Sequence, residues 1–182
     1  MLNSQPNLDL NSKDENGSSV YLIAAQNGHV NILQNLEAKG VNKETKSNIG
    51  STALHEAVLG KKLDAVKHFI TTKFPLNIKR GDGYTPLALA TMNTRDVSIV
   101  RALLEAGTDP NLVSKDGVGP MFFAIKTQNV EAIQLLIDFG AEIKYNSPKK
   151  IDKSPCFMAI IDESKSFYEI SYGDDLASFE LD

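Results

Sequence analysis

Small, apolar and polar positions recur along this chain in one order and at a near-constant period. Five segments share a turn residue, a short polar stretch and then an apolar run that contains an alanine, namely residues 17–25, 50–58, 83–91, 117–125 and 152–160. Their first residues lie 33, 33, 34 and 35 residues apart. A period of this length predicts a stack of small helical units instead of a globule with one enclosed core.

Each segment carries the signals of a helix start, and a second apolar helix follows it. A hydroxyl that accepts a backbone N–H bond precedes four of the five runs, and glycine replaces it in the fourth; the five residues are Ser19, Thr52, Thr85, Gly119 and Ser154. Pro86 and Pro155 stand at the first helical position, where a missing N–H costs nothing. Asp96 is expected to cap the second helix of the third unit. The predicted helix ends lie at Gly40, Lys73, Gly107 and Gly140.

The repeated segment resembles the ankyrin repeat, whose first helix opens on a Thr-Pro-Leu-His-like sequence. The third unit is clearest, with Thr85-Pro86-Leu87, Ala90, Gly107 and Asp109. The resemblance implies an all-α solenoid of stacked helix-turn-helix units with short β-hairpin loops. We expect a flexible lead-in over 1–10, repeats at about 14–46, 47–79, 80–113 and 114–148, a degenerate repeat at 149–170, and an acidic tail or capping segment at 171–182. Residues 164–170 are interpreted as a modified second helix.

Charge and cysteine content narrow the classes of partner and compartment. The chain of 182 residues has a net charge of −4, and the excess acidic residues all lie in the tail after Ile170. Because the rest is balanced, nucleic-acid binding is disfavoured. A single cysteine excludes an intrachain disulfide and fits a reducing compartment. No signal pattern and no apolar run of membrane-spanning length are present, so a cytoplasmic protein is expected.

Candidate catalytic groups are better explained as structural residues. The resemblance gives His55 the role of linking neighbouring loops through the capping Thr52, and His29 lies in a turn between helices. We interpret His68 as a partly exposed helix residue and Glu37 as a solvated surface charge. Cys156 takes an inward position, where a thiol is buried and unreactive. The histidines have no metal-ligand spacing. We therefore predict no enzyme activity, no cofactor and no metal.

The resemblance also implies where a partner docks, because ankyrin-like proteins bind through hairpin tips and the exposed side of the first helices. Because these positions point outward, polar residues are expected there, and the apolar residues found instead predict an apolar stripe flanked by basic residues. The predicted partner-binding set is Ile49, Leu59, Lys79, Arg80, Tyr84, Met92, Asn93, Lys115 and Val118. The loop Asp of the family is present as Asp14 but replaced by Ser47, Arg80, Ser114 and Lys149. Those loops are expected to lose one stabilising hydrogen bond.

These observations predict a protein–protein interaction module that presents a concave surface and carries out no catalysis. The basic rim favours a protein partner with some acidic character, and a monomer is expected. The alternative is the targeting or substrate-recruiting portion of a larger multidomain enzyme or of a bacterial effector, which would act in the host cytoplasm.

Overall fold

The repeat pattern folds into four helix pairs. The computed structural model describes residues 9–92, 96–142, 159–161, 167–172 and 175–180. The helices are α1 (Val20–Asn27), α2 (Val30–Ala38), α3 (Ala53–Leu59), α4 (Leu63–Thr71), α5 (Pro86–Met92), α6 (Ser98–Glu105), α7 (Pro120–Lys126) and α8 (Val130–Asp138). The first helix of each pair packs on the first helix of the next, and the second helices follow the same order. This arrangement confirms the predicted solenoid of helical repeats.

The predicted capping residues act at the helix starts that the structure describes. Ser19 accepts from the Leu22 N–H at 3.5 Å, and the Thr85 hydroxyl accepts from the Ala88 N–H at 3.2 Å. Gly119 caps α7 without a side-chain bond. Asp96 accepts from the Ser98 N–H at the start of α6. Ser154 and Pro155 lie outside the described residues.

The predicted helix ends at three glycines and one lysine all have a positive φ. Gly40, Gly107 and Gly140 have φ values of 75°, 84° and 83°, in the left-handed region that ends a helix without strain at glycine. Lys73, which stands at the corresponding helix end of the second repeat, also has a positive φ, of 56°.

One continuous core runs through all four pairs. Alanines of the first helices, among them Ala25, Ala57 and Ala90, are almost fully buried between neighbouring units. The second helices contribute larger side chains that are equally buried: Leu33, Val66, Phe69, Leu103 and Leu136. Because each pair buries its apolar side against its neighbours, no unit has a core of its own.

The C-terminal part differs from an all-α chain. Strands β1 (Ala159–Ile161), β2 (Phe167–Tyr172) and β3 (Asp175–Glu180) form an antiparallel sheet in the order β1-β2-β3. The expected second helix over 164–170 is therefore wrong from Phe167 onward. The β2 sequence Phe-Tyr-Glu-Ile-Ser-Tyr is rich in aromatic and β-branched residues, which favour strands. The boundaries of the fifth repeat and the lead-in remain predictions.

Substitution of Leu103 by alanine should lower the free energy of unfolding by about 2–5 kcal/mol, because it leaves a cavity in a fully buried site. Urea denaturation at constant pH measures this change. Phe139→Ala is the control, because Phe139 is exposed and its removal should cost much less. Equal losses for the two variants would contradict the core described here.

Candidate functional site

The hairpin tips between helix pairs form one continuous row. In each hairpin the first residue donates its N–H to the carbonyl of the fifth: Asp14 to Ser18, Ser47 to Ser51, Arg80 to Tyr84 and Ser114 to Val118, at 2.8–3.1 Å. Each tip is also joined to the next tip by a backbone hydrogen bond. The N–H groups of Asn48, Gly81 and Lys115 donate to the carbonyls of Asn16, Ile49 and Asp82, at 3.0, 2.9 and 3.2 Å. The row is thus held by backbone bonds at every step.

Glycine makes the close approach of the tips possible. A Cβ on Gly81 would lie 2.7 Å from the Ile49 carbonyl oxygen, closer than van der Waals contact allows. Gly81 does not have a positive φ, so its backbone conformation does not require glycine. Glycine is required because the Ile49 carbonyl leaves no room for a Cβ atom.

Side-chain hydrogen bonds to the backbone remain in the three replaced loops that the structure describes, with two at Ser114, as at Asp14, and one each at Ser47 and Asp82. The expected loss of one bond is therefore wrong for the Ser114 loop. Asp14 accepts from the N–H groups of Asn16 and Ser18. The shorter Ser47 hydroxyl accepts from the Ser51 N–H, and Ser114 accepts from Asp116 and Val118. In the third loop Asp82 takes over and accepts from the Tyr84 N–H at 3.1 Å. Lys149 lies outside the described residues.

His55 connects two neighbouring repeats, as the sequence predicts. Its Nδ1 lies 3.3 Å from the Thr52 nitrogen and 2.8 Å from the Thr52 hydroxyl, and its Nε2 lies 3.2 Å from the Tyr84 carbonyl oxygen. Because Nδ1 accepts the Thr52 N–H, the ring is neutral with its proton on Nε2, which donates to Tyr84. Burial lowers the pKa of His55 to about 4, and the positive charges of Arg80 and Lys46 act in the same direction.

Tyr84 belongs to the packing between the third and fourth repeats. Its ring lies 5.5 Å from the Phe123 ring, at an interplanar angle of 63°. The Arg80 guanidinium lies over the Tyr84 ring, with its carbon 5.7 Å from the ring centroid. Its Nε donates to both carboxylate oxygens of Asp82. Burial alone would raise the pKa of Asp82, but the hydrogen bonds from Arg80 and Tyr84 lower it. Arg80 is thereby engaged within its own loop.

The predicted apolar stripe is only partly exposed. Ile49 is 60% exposed at its tip, whereas Val118 is 8% exposed and packs with Ala88 and Phe123. The expectation that Val118 points outward is therefore wrong, because its side chain packs against Ala88 of α5 and Phe123 of α7. Leu59, Tyr84 and Met92 are partly buried and pack against the core.

The predicted basic residues have different environments. Lys79 donates to the Val113 carbonyl at 2.7 Å, across to the next repeat, and Lys13 makes the matching bond to the Lys46 carbonyl at 2.8 Å. Lys115 is exposed on its tip. Asn93 lies outside the described residues.

The sequence did not predict a polar network formed by Tyr21, Glu37 and His68. The Tyr21 hydroxyl donates to Glu37 Oε1 at 2.7 Å, and His68 Nε2 lies 3.0 Å from the same oxygen. The Glu37 and His68 side chains are 15% and 8% exposed, so the interpretation of Glu37 as a solvated charge is wrong. Burial alone would raise the pKa of Glu37, but the bonds from His68 and Tyr21 lower it. The signal was Tyr21 at a position that leucine usually fills, since a buried hydroxyl needs a partner.

The described residues also form open grooves on the surface. One of about 690 Å³ lies between α2 and α4 and is lined by His29, Asp64, Lys67 and His68 among others. Within the part of the chain that the structure describes, no group of three or more His, Cys, Asp or Glu residues could hold a metal ion. None of the described helices is long and apolar enough to cross a membrane. Cys156 lies outside the described residues.

Comparison with known proteins shows the same repeat. A family model described as ankyrin repeats (3 copies) matches residues 2–80, 21–114, 57–147 and 87–169. An ankyrin repeat protein of Acanthamoeba polyphaga mimivirus is 32% identical over 133 residues, which cover 72% of this chain and 17% of that protein. One from fowlpox virus is 31% identical over 140 residues, which cover 76% and 32%. Neurogenic locus notch homolog protein 1 of Danio rerio is 27% identical over 149 residues, which cover 81% and 6%. The chain spans about a third or less of these relatives.

The His55 site predicts a pH dependence of stability. Since the folded pKa of about 4 lies below the unfolded value, the unfolded state binds a proton first as the pH falls, and stability falls between about pH 6.5 and 4. The loss attributable to His55 is about 3 kcal/mol across that window. Urea denaturation at pH 7 and 4.5 measures it, with His55→Gln as the matched variant, whose stability should change less. An identical pH dependence in both proteins would contradict this role.

The spacing of the tips predicts the effect of a single methyl group at Gly81. Gly81→Ala should lower the free energy of unfolding by about 1–3 kcal/mol, because the added carbon overpacks against the Ile49 carbonyl. Amide exchange should accelerate at the residue 81 N–H, whose bond to Ile49 must lengthen. Ile49→Ala provides the comparison, since it removes exposed carbon and leaves the backbone bond in place. Unchanged exchange in Gly81→Ala would show that the tips tolerate the extra atom.

Proposed function

Because the chain belongs to the ankyrin repeat family, we propose that it is a protein–protein interaction module that presents a preformed surface to a protein partner and has no catalysis of its own. Ankyrin repeats are generally interaction modules, and the relatives named above are two ankyrin repeat proteins and a neurogenic locus notch homolog protein. The observation that carries the proposal is the row of hairpin tips, bonded backbone to backbone from Asn16 to Lys115. A surface ordered before binding loses little conformational entropy when the partner docks.

The docking surface centres on Ile49. This side chain is the most exposed of the large apolar residues among the described residues, and it stands on a tip that is bonded on both sides. Its neighbours along the row are polar tips, including Asn16, Asn48 and Asp82, so an apolar anchor is surrounded by groups that stay hydrated. Apolar anchors with a polar rim are typical of binding hot spots.

The partly buried residues take a supporting role in this proposal. Tyr84 and Met92 pack against Phe123 and the core, so they shape the surface from beneath. Val118 is removed from the proposed contact set because it is buried. Lys79 and Arg80 are held by the Val113 carbonyl and by Asp82, so a partner with acidic character would meet mainly Lys115 and the exposed Lys46.

A second proposal is that the repeats are the targeting portion of a larger protein. The observation in its favour is the length of the relatives, since the matched region is 17% of the mimivirus protein and 32% of the fowlpox virus protein. The bacterial-effector form of this proposal has no support among these relatives. The cytoplasmic location also remains a proposal, supported by the single cysteine.

A quantitative affinity capture with three proteins tests the docking surface. Wild type, Ile49→Glu and Phe139→Glu are compared by mass spectrometry of the captured proteins. Ile49 and Phe139 are both exposed, on a tip and at the end of α8, so neither substitution should unfold the chain. A partner should be retained by wild type and Phe139→Glu and reduced at least about tenfold by Ile49→Glu, because a carboxylate at an apolar contact is costly.

The same experiment can reject the proposal in two ways. Partners captured equally by all three proteins would move the site away from the tips. A folded wild-type protein that captures nothing reproducibly would count against an interaction module altogether. Circular dichroism and thermal melting of the variants confirm that they remain folded.

A further inference from the structure

The lysine that precedes the second hairpin has a different environment from its counterparts. Lys13, Lys46 and Lys79 stand directly before the first, second and third hairpins. Lys13 and Lys79 reach along the stack and donate to the Lys46 and Val113 carbonyls of the next repeat, at 2.8 and 2.7 Å. In the described part of the chain, Lys46 makes no such bond to the Lys79 carbonyl, and Lys46 is exposed. Its ammonium group is therefore available to a carboxylate of a partner.

The same hairpin carries an exposed apolar side chain on a fixed backbone. Ile49 is 60% exposed, and its carbonyl accepts the Gly81 N–H of the third tip at 2.9 Å. On the other side, Asn48 donates its N–H to the Asn16 carbonyl of the first tip at 3.0 Å. The hairpin is thus held on both sides, with a cation and an apolar side chain close together in its sequence. Lys46 and Ile49 are called the Lys46–Ile49 site below.

The other hairpins lack this combination. The first hairpin, with its preceding lysine, spans residues 13–18 and contains no apolar side chain. In the third, Arg80 is paired with Asp82 at 2.6 Å, and Tyr84 is half-buried. In the fourth, an exposed valine and a lysine are present, but the lysine is followed directly by Asp116. The second hairpin therefore presents its cation beside an apolar anchor without an adjacent carboxylate.

The charge at this site is complementary to an acidic partner. Residues 46–51 contain one charged side chain, Lys46. The carboxylates of the neighbouring hairpins are mostly engaged, since Asp14 accepts two N–H groups of its own loop and Asp82 is bonded within the third loop. Glu15 is the exposed carboxylate that remains on these neighbouring tips. A carboxylate of a partner can therefore pair with Lys46 without displacing an internal bond.

The opposite side of the stack repels the same partner. On α6, α8 and the residues that flank them, the exposed charged side chains are acidic apart from Arg101, which lies 3.3 Å from Glu131. The acidic residues are Asp96, Glu105, Asp109, Glu131, Asp138 and Glu142. Like charges that face each other across an interface are unfavourable, so an acidic partner is directed toward the hairpins.

We propose that the Lys46–Ile49 site binds an acidic segment of a partner protein, in which a carboxylate pairs with Lys46 and a neighbouring apolar side chain packs on Ile49. This inference rests on the proposed function and names the chemistry of the partner at that surface. The apolar contact contributes most of the affinity, and the exposed ion pair contributes selectivity and association rate. A nucleic acid fits less well, because its binding depends on several cations that contact successive phosphates.

Selection of random peptides displayed on phage, with the full chain as the immobilised target, tests the preference. Peptides enriched on the wild-type protein should carry Asp or Glu beside Leu, Ile or Phe. On Lys46→Glu the acidic residues should be lost from the enriched peptides and replaced by Lys or Arg, because the charge at the site is reversed. Lys67→Glu is the matched control, since Lys67 is exposed on α4 and lies away from the hairpins. It should enrich the same acidic peptides as the wild type.

Fluorescence anisotropy with one enriched acidic peptide measures the two contacts separately. Lys46→Gln should weaken binding about two- to fivefold, the range of an exposed ion pair. This difference should shrink as salt is added, because salt screens exposed charges. Ile49→Glu should weaken binding at least about tenfold, because a carboxylate enters the apolar contact. Both residues are exposed, and thermal melting checks that the variants remain folded.

Four results would overturn the proposal: enriched peptides that are neutral or basic, acidic peptides that Lys46→Glu enriches equally, no enriched peptide at all, or an oligothymidylate that displaces the peptide from wild type but not from Lys46→Gln. The last result would indicate a nucleic-acid site. Neutral peptides that bind wild type and fail to bind Ile49→Glu would reject the acidic partner and leave the interaction module intact. The capture experiment decides separately whether the module binds proteins, so the two proposals can fail independently.

Discussion

Burial between neighbouring repeats is the constraint on which this protein depends. A helix pair of this size cannot enclose its own apolar residues, so alanines such as Ala25, Ala57 and Ala90 are removed from water only when the next pair stacks on them. Small residues are required there because the first helices approach closely. The same constraint explains why α1 differs from α3, α5 and α7: its outer side chains Val20 and Ile23 remain exposed where later repeats are covered.

The distance between stacked first helices also determines how close the hairpin loops of neighbouring repeats come to one another. Once the first helices pack, the hairpins come close enough for the Asn48, Gly81 and Lys115 N–H groups to reach the preceding tips. His55 adds a bond between layers, from the capping Thr52 to the Tyr84 carbonyl. Structure and function are connected here, because the bonds that stabilise the stack are the ones that hold the proposed docking surface in a fixed shape.

Two surfaces with different chemistry result from this architecture. The tip row is polar with one prominent apolar side chain, Ile49, and its charged groups are partly used for internal bonds such as Arg80 to Asp82. The outer side of α1 and α2 carries the exposed apolar side chains of Val20, Ile23 and Ile32, and the Glu37 carboxylate is bonded to Tyr21 and His68. The tip row is the surface proposed to bind a protein partner.

The sequence by itself determined the repeat and the helix starts and ends, because these follow from local signals with a fixed period. The bridging role of His55 was implied by the resemblance to the ankyrin repeat. The sequence placed Lys73 at the helix end that glycine takes in the other repeats, and the structure shows that Lys73 has a positive φ there. Only the tertiary structure decided which side chains are exposed. Val118 is buried and Ser47, Asp82 and Ser114 supply the tip hydrogen bonds, because neighbouring layers and loop geometry fix those contacts. Tyr21 and Glu37 meet across the first helix pair, and stacking of the second pair brings His68 to the same carboxylate. The strand Phe167–Tyr172 shows the limit of periodicity, since intrinsic β-propensity decides the structure where the repeat pattern fades.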